Sequence, residues 1–146
     1  MPPHAILALT DFSHAAEQAL DRAAQIAATH QARLRVLYAN DTPAALFNDP
    51  PARLAQRARQ RARRHGVAVE AVHGSGRVAT DLPRYAAEAD LLVVDAERLQ
   101  ALRLWRHGAT VRQLARRHGH AVLVVRHAAT APYRRVLVGV DLAERS

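Results

Sequence analysis

Apolar residues fall in five short runs along the chain, over residues 5–9, 34–38, 67–72, 91–94 and 121–125. Four of these runs are nearly continuous, which is typical of parallel strands covered on both faces. The run 67–72 alternates with polar positions and is expected at a sheet edge. Because helical segments separate the runs, the pattern predicts an α/β fold with a doubly wound, five-stranded parallel sheet and helices on both faces.

Four helices are predicted between these strands. Ser13 is placed to cap the first, in which apolar residues recur every three or four positions as far as Ala27. The third helix is expected to begin near Thr80, because Pro83 then falls in the first turn, where its missing N–H costs little. The second and fourth helices are predicted over residues 51–65 and from about residue 108 to residue 117.

The predicted second helix is rich in arginine. Four of its arginines are spaced by four, four and three residues and therefore share one helix face. They are Arg53, Arg57, Arg61 and Arg64. Such a stripe can bind an anion or form a solvated outer face. The chain contains no lysine, so arginine serves as the only long cationic side chain, and this favours the solvated face.

Composition limits the class of protein further. The chain has 146 residues, of which 49% are apolar and 23% charged, as expected for one globular domain. No apolar run approaches the roughly 20 residues of a membrane span, and residues 1–4 do not resemble a secretory signal. We therefore expect a cytoplasmic protein without a membrane partner. The chain lacks cysteine, which excludes disulfides, thiolate metal sites and cysteine catalysis.

The net charge of +8 would ordinarily indicate an anionic partner. All 21 basic residues are arginine, however, a skew typical of a GC-rich genome, and aromatic residues make up only 4%. We therefore predict no nucleic-acid partner. Among the nine histidines, His118 and His120 are too close together and have no third ligand at a recognisable spacing, so no metal site is predicted.

The start of the chain is repeated near its end. Residues 6–12 and residues 136–142 both read as a short apolar strand followed by Asp and an apolar residue, at an offset of 130 residues. A period of this length indicates domain duplication rather than a solenoid. We divide the chain into a domain over residues 1–127, a linker over 128–134, and an extra strand over 135–146 that resembles the start of a second domain.

Over about residues 4–126 the chain resembles the universal stress protein family. The resemblance rests on Ile-Leu-Ala-Leu-Thr-Asp-Phe-Ser at residues 6–13, Val-Leu-Tyr at 36–38, Gly-Val at 66–67, Ala-Asp-Leu-Leu-Val-Val at 89–94 and His-Ala-Val-Leu-Val-Val at 120–125. It implies the adenine-nucleotide alpha-hydrolase-like fold with strand order 3-2-1-4-5, a homodimer formed through the last strands, and a role in stress adaptation. Some members of the family bind ATP and others do not.

The ATP-binding loop of the family is degenerate in this chain. In ATP-binding members the fourth strand leads into Gly-x-x-Gly, nine residues, and Gly-Ser or Gly-Thr, so that backbone N–H groups close around the phosphates. The resemblance places Asp95 and Arg98 at the first two glycine positions. Gly108 keeps the third glycine, Ala109 replaces the hydroxyl residue, and Thr110 follows one place late.

The end of the first strand keeps more of the family pattern. Thr10 and Asp11 match the family's Thr-Asp, whose carboxylate lies near the ribose, and Ala39 matches an adenine-contact position. Ligands of open α/β sheets bind where the strand order reverses, here between strands one and four. Asp11 and Asp95 are both expected at this crevice, where they could form an acid/base or Mg²⁺ site. The interpretation that we favour is that Asp11 helps to cap the first helix and Asp95 caps its own loop.

Three functions are compatible with these residues. The first is a non-catalytic, dimerising stress-adaptation module with no cofactor and no enzyme activity. The second is an ATP- or AMP-binding sensor in which Arg98, Arg103 and Arg106 replace the glycine loop. The third is an enzyme built on Asp11 and Asp95. The residues favour the first, because two glycines and one hydroxyl of the ATP motif are missing.

Overall fold

The structure is a computed structural model that describes residues 2–39, 50–75, 78–97 and 121–137. Its strands are β1 (Ala5–Thr10), β2 (Arg33–Tyr38), β3 (Val69–Val72), β4 (Leu91–Asp95) and β5 (Ala121–Val125). Its helices are α1 (His14–His30), α2 (Pro50–His65) and α3 (Val78–Ala86). The predicted fourth helix lies outside the described residues, and so do Arg98, Gly108, Ala109 and Thr110.

The five strands form one parallel sheet in the order β3-β2-β1-β4-β5, which confirms the predicted fold and strand order. β1 lies in the centre and pairs with β2 on one side and with β4 on the other. The strand order therefore reverses between β1 and β4: β2 and β3 lie on one side of β1, and β4 and β5 lie on the other. Right-handed crossovers then place α1 and α2 on one face and α3 on the other.

Two apolar clusters cover the two faces of the sheet. Ile6 and Ala8 of β1 belong to the cluster under α1 and α2, whereas Leu7 and Leu9 belong to the cluster under α3. All four side chains are at most 1% exposed. Burial on both faces explains why the apolar run of β1 is continuous rather than alternating.

Helix ends follow the sequence signals at α1 but not at α3. Ser13 caps α1: its hydroxyl accepts a hydrogen bond from the Ala16 N–H at 3.2 Å. The helix α3 begins at Val78, two residues before the predicted start near Thr80, so the expectation that Pro83 falls in the first turn is wrong and Pro83 lies in the helix interior. Packing outweighs the lost hydrogen bond there, since Leu82 and Tyr85 of the same helix are buried in the cluster under α3.

Two arginines of the α2 stripe, Arg57 and Arg61, face α1, whereas Arg64 stays largely exposed. Arg57 pairs with Glu17 at 2.8 Å, and Arg61 pairs with both Glu17 at 2.5 Å and Asp21 at 2.6 Å. The Arg61 side chain is only 10% exposed. The shared face predicted from the spacing is confirmed for Arg57 and Arg61, and for these two the interpretation as a solvated outer face is wrong, whereas Arg64, at 69% exposed, fits it. Spacing identifies residues on one face without showing which element packs against that face.

Residues 126–137 follow β5 without regular secondary structure. Residues 135–137, the start of the predicted extra strand, are exposed and belong to no strand of the described sheet. The remainder of that segment lies outside the described residues. The division into domain, linker and extra strand therefore stays a prediction.

Candidate functional site

The carboxyl ends of β1 and β2 bring together three of the predicted site residues. The Ala39 N–H donates a hydrogen bond to the Thr10 carbonyl at 2.9 Å, which ties the ends of the two strands to each other. Thr10 and Ala39 are each 1% exposed, and Asp11 beside them is half-buried. The three residues that the resemblance assigns to the nucleoside are thus adjacent, as the strand order predicts.

Asp11 and Thr10 shape the turn that leads from β1 into α1. The Thr10 hydroxyl accepts from the Phe12 N–H, and Asp11 Oδ1 accepts from the Ser13 N–H, each at 3.0 Å. Asp11 therefore orders the residue that caps α1, in agreement with the interpretation of this carboxylate as a local cap. The hydrogen bond that the Asp11 side chain accepts thus lies within the turn between β1 and α1.

Phe12 adopts a left-handed backbone conformation, with φ of 66°. This conformation costs a residue other than glycine about 1–3 kcal/mol. The Phe12 ring stacks on Tyr38, with centroids 5.0 Å apart and planes 22° apart, and the Arg53 guanidinium lies 5.6 Å above it. These contacts offset the strained backbone. This stack was not predicted from the sequence, although two aromatic residues at the ends of neighbouring strands were an available signal.

Asp95 is buried at the end of β4. It is 2% exposed, so its carboxylate has almost no contact with solvent, and the expectation that it faces the crevice stays a prediction. Strand alternation accounts for this position. Val93 and Val125 belong to the cluster under α1 and Val94 to the opposite cluster, so Asp95 points to the α1 side. An acid/base pair needs two carboxylates that substrate can reach, and Asp95 does not meet this requirement.

A hydrogen-bonded loop follows β3 at the carboxyl end of the sheet, the same end at which Thr10, Asp11 and Ala39 lie. Asp81 of α3 is 4% exposed, and its Oδ1 accepts from both the backbone N–H and the hydroxyl of Ser75 at 2.8 Å. Tyr85 donates its hydroxyl proton to the His73 carbonyl at 2.9 Å. A Cβ at Gly74 would overlap the Asp81 carboxylate, so this close approach requires glycine.

We expect Asp81→Ala to lower the free energy of unfolding by about 1–2 kcal/mol, because it removes a charge-assisted acceptor from two donors. Asp81→Asn keeps one carbonyl acceptor and should cost less. Urea unfolding of both variants, followed by circular dichroism, measures the difference. Equal losses for the two variants would show that the hydrogen bonds to Ser75 contribute little.

A cavity of about 420 Å³ opens between the start of α1 and the ends of β4 and β5. Its size is in the range of small-molecule pockets. The lining is formed by His14, Ala15, Gln18, Ala96, Glu97, Val125, Arg126 and His127. Both charge signs are present, so the lining does not select one class of ligand.

The described ranges contain neither a metal-binding cluster nor a membrane-spanning helix. No group of three or more His, Asp or Glu side chains there could hold a metal ion. Within the same ranges, no helix is long and apolar enough to cross a membrane.

Comparison with known proteins gives one family and several solved structures. The model of the universal stress protein family matches residues 3–126. A universal stress protein in complex with cAMP is 29% identical, with a TM-score of 0.60, over 86% of this chain and 98% of the other. A family protein from Burkholderia pseudomallei is 28% identical, with a TM-score of 0.56, over 84% and 96%. UspA from Lactobacillus plantarum is 25% identical, with a TM-score of 0.56, over 84% and 97%. No curated protein sequence matches the chain.

Proposed function

Because the chain belongs to the universal stress protein family, we propose that it is a non-catalytic stress-adaptation module that forms a homodimer and has a degenerate ATP-binding loop. The observation that carries this proposal is the buried Asp95 at the end of β4, where the family pattern has a glycine. A carboxylate at this position opposes the negative charge of a triphosphate, and its side chain occupies space that a glycine would leave open.

The proposal of a non-catalytic role rests on the two carboxylates at the crevice. Asp11 accepts a hydrogen bond within its own turn, and Asp95 is almost fully buried. Neither is presented to a substrate as a free acid or base. If the third function were correct, a metal-dependent turnover would be measurable, and Asp11→Asn would abolish it.

The proposal of a homodimer rests on β5, which ends the described sheet. Val122, Leu123 and Val124 are only half-buried, although all three are apolar. An apolar edge strand of this kind pairs readily with another strand. A two-fold axis beside β5 would join two such edges and extend the sheet from one chain into the other.

We expect Mg-ATP at millimolar concentration to leave the melting temperature of the protein unchanged within error. A ligand at 100 times its dissociation constant stabilises a protein by about 2.7 kcal/mol, which a thermal melt detects easily. Mg-GTP serves as the control for non-specific effects of the triphosphate. A clear shift with ATP alone, or ATP retained through purification, would contradict the degenerate-loop proposal and favour the sensor.

The nucleotide sensor remains the second candidate, and one comparison favours it. The 29% identical relative is described in complex with cAMP, a nucleotide with one phosphate. A monophosphate needs fewer backbone N–H contacts than a triphosphate does, so the missing glycines would harm it less. Thr10, Asp11 and Ala39, which the resemblance assigns to the nucleoside end, lie together at the ends of β1 and β2 and support this candidate. Thermal melts with AMP and cAMP beside ATP would separate the two candidates.

A further inference from the structure

Large exposed apolar side chains are concentrated in one short stretch of the described chain. Tyr133 is 54% exposed, Val136 76% and Leu137 97%, and no other large apolar side chain of the described ranges is exposed to this degree. We call residues 131–137 the C-terminal segment. Single exposed apolar residues are ordinary, but three within five residues indicate a contact surface.

Arg22 of α1 holds the C-terminal segment in place. Its guanidinium donates to the Ala131 carbonyl at 2.8 Å and lies 4.0 Å from the centre of the Tyr133 ring. It also contacts Gln25 one turn along the helix. Arg22 is 7% exposed, so these contacts are made by a nearly buried charge. A planar guanidinium suits both the carbonyl and the ring face, which lysine would not.

The contacts of Arg22 also place the segment beside the edge of the sheet. Glu17 and Asp21 mark the flank of α1 that faces α2. Arg22 lies about 120° around the helix from their midpoint, on the opposite flank, and α1 also packs on β5. The chain leaves β5 beside His14 at the start of α1 and reaches Arg22 two turns later. The segment therefore runs back along α1, next to β5.

We propose that the C-terminal segment forms a second zone of contact with the other copy of this chain, beside the paired β5 strands. This inference rests on the proposed homodimer. A second copy is the occupant that fits, because a sheet continued across β5 brings the partner chain against the same flank of α1. Arg22 is a positioning residue for the segment, since it fixes the backbone that carries Val136 and Leu137.

Holding the segment before association favours the contact. A flexible segment loses conformational freedom when a partner orders it, and this loss weakens binding. The Arg22 contacts order residues 131–133 within the single chain. Val136 and Leu137 then lie only a few residues beyond an ordered anchor, so less freedom remains to be lost on dimer formation.

The test measures dimer dissociation by analytical ultracentrifugation for the wild type, Val136→Ser with Leu137→Ser, Arg22→Ala, and the combination of all three. We expect the serine pair to weaken the dimer about 10-fold or more, because two exposed apolar side chains lose their contact. Arg22→Ala should weaken it and also speed tryptic cleavage after Arg134 and Arg135. The dimer of the variant with all three substitutions should be no weaker than the dimer of the serine pair alone, since Arg22 acts through the segment.

Arg59→Ala is the matched control. Arg59 is exposed on α2, so the substitution removes the same charge without affecting the C-terminal segment. Circular dichroism confirms that each variant is folded. A wild-type dimer with unchanged dissociation in the serine pair would overturn this inference and leave the homodimer standing. A wild type that is monomeric at about 100 micromolar, the order of the dissociation constant of a weak dimer, would overturn both. Purely additive effects of Arg22→Ala and the serine pair would show that Arg22 does not position the segment.

Discussion

Arg61→Ala is expected to lower the free energy of unfolding by about 2–3 kcal/mol, one of the largest effects expected of a single arginine substitution in this chain. Arg61 is the one side chain of α2 that contacts both Glu17 and Asp21 at close range. Its removal leaves two partly buried carboxylates facing each other with reduced compensation. The cost stays below that of a fully buried pair, because the two carboxylate side chains remain 20% and 24% exposed.

Thermal unfolding of this variant should show a melting temperature lower by roughly 5–10 °C. Arg59→Ala on the exposed face of the same helix should shift it by less than about 2 °C, because surface substitutions rarely change stability by more than about 0.5 kcal/mol. In a Glu17→Gln, Asp21→Asn background the Arg61→Ala cost should shrink, since the opposing carboxylate charges are gone. A cost that is the same in both backgrounds would show that packing of the arginine stem, and not charge, stabilises the contact between α1 and α2.

The strands follow from the sequence because burial leaves a direct mark on it, whereas their order was implied by the family resemblance. The run in β1 is apolar at successive positions, which only a strand covered on both faces requires. The alternating run that ends in β3 correctly predicted a sheet edge. Right-handed crossovers then restrict the topology to few possibilities.

The partner of a helix face leaves no comparable mark. The arginine stripe of α2 has the same spacing whether it faces water or the acidic flank of α1. What decides between the two is the position of Glu17 and Asp21, which lie about 40 residues earlier in the chain. Comparing the two helices, with acidic residues on a flank of α1 and arginines on one face of α2, would have predicted the observed pairing.

The candidate site was predictable in its location but not in its detail. Strand order alone brings Thr10, Asp11 and Ala39 to one edge. The left-handed conformation of Phe12 was not predictable, because aromatic residues rarely adopt it and the stack with Tyr38 that offsets its cost joins two separate strands. The burial of Asp95 depends on which face of β4 it occupies, and the family motif alone does not specify this.

We expect Asp95→Gly, Arg98→Gly and Ala109→Ser together to confer ATP binding if the degenerate loop is the main defect. The glycines let the backbone approach the phosphates, and the serine returns a hydroxyl donor at the position where the family has one. Loss of the Asp95 carboxylate also removes a charge that opposes the triphosphate. The expected result is a rise in melting temperature with millimolar Mg-ATP that the wild type does not show.

Asp95→Asn in place of Asp95→Gly separates charge from space in this experiment. Asparagine removes the negative charge but keeps a side chain of the same size in the buried position at the end of β4. If the asparagine version binds ATP as well as the glycine version, repulsion was the obstacle. If only the glycine version binds, the obstacle was steric, because the phosphates need the backbone that a side chain covers. A folded triple variant that ignores ATP in either version would place the defect deeper than these three positions of the loop.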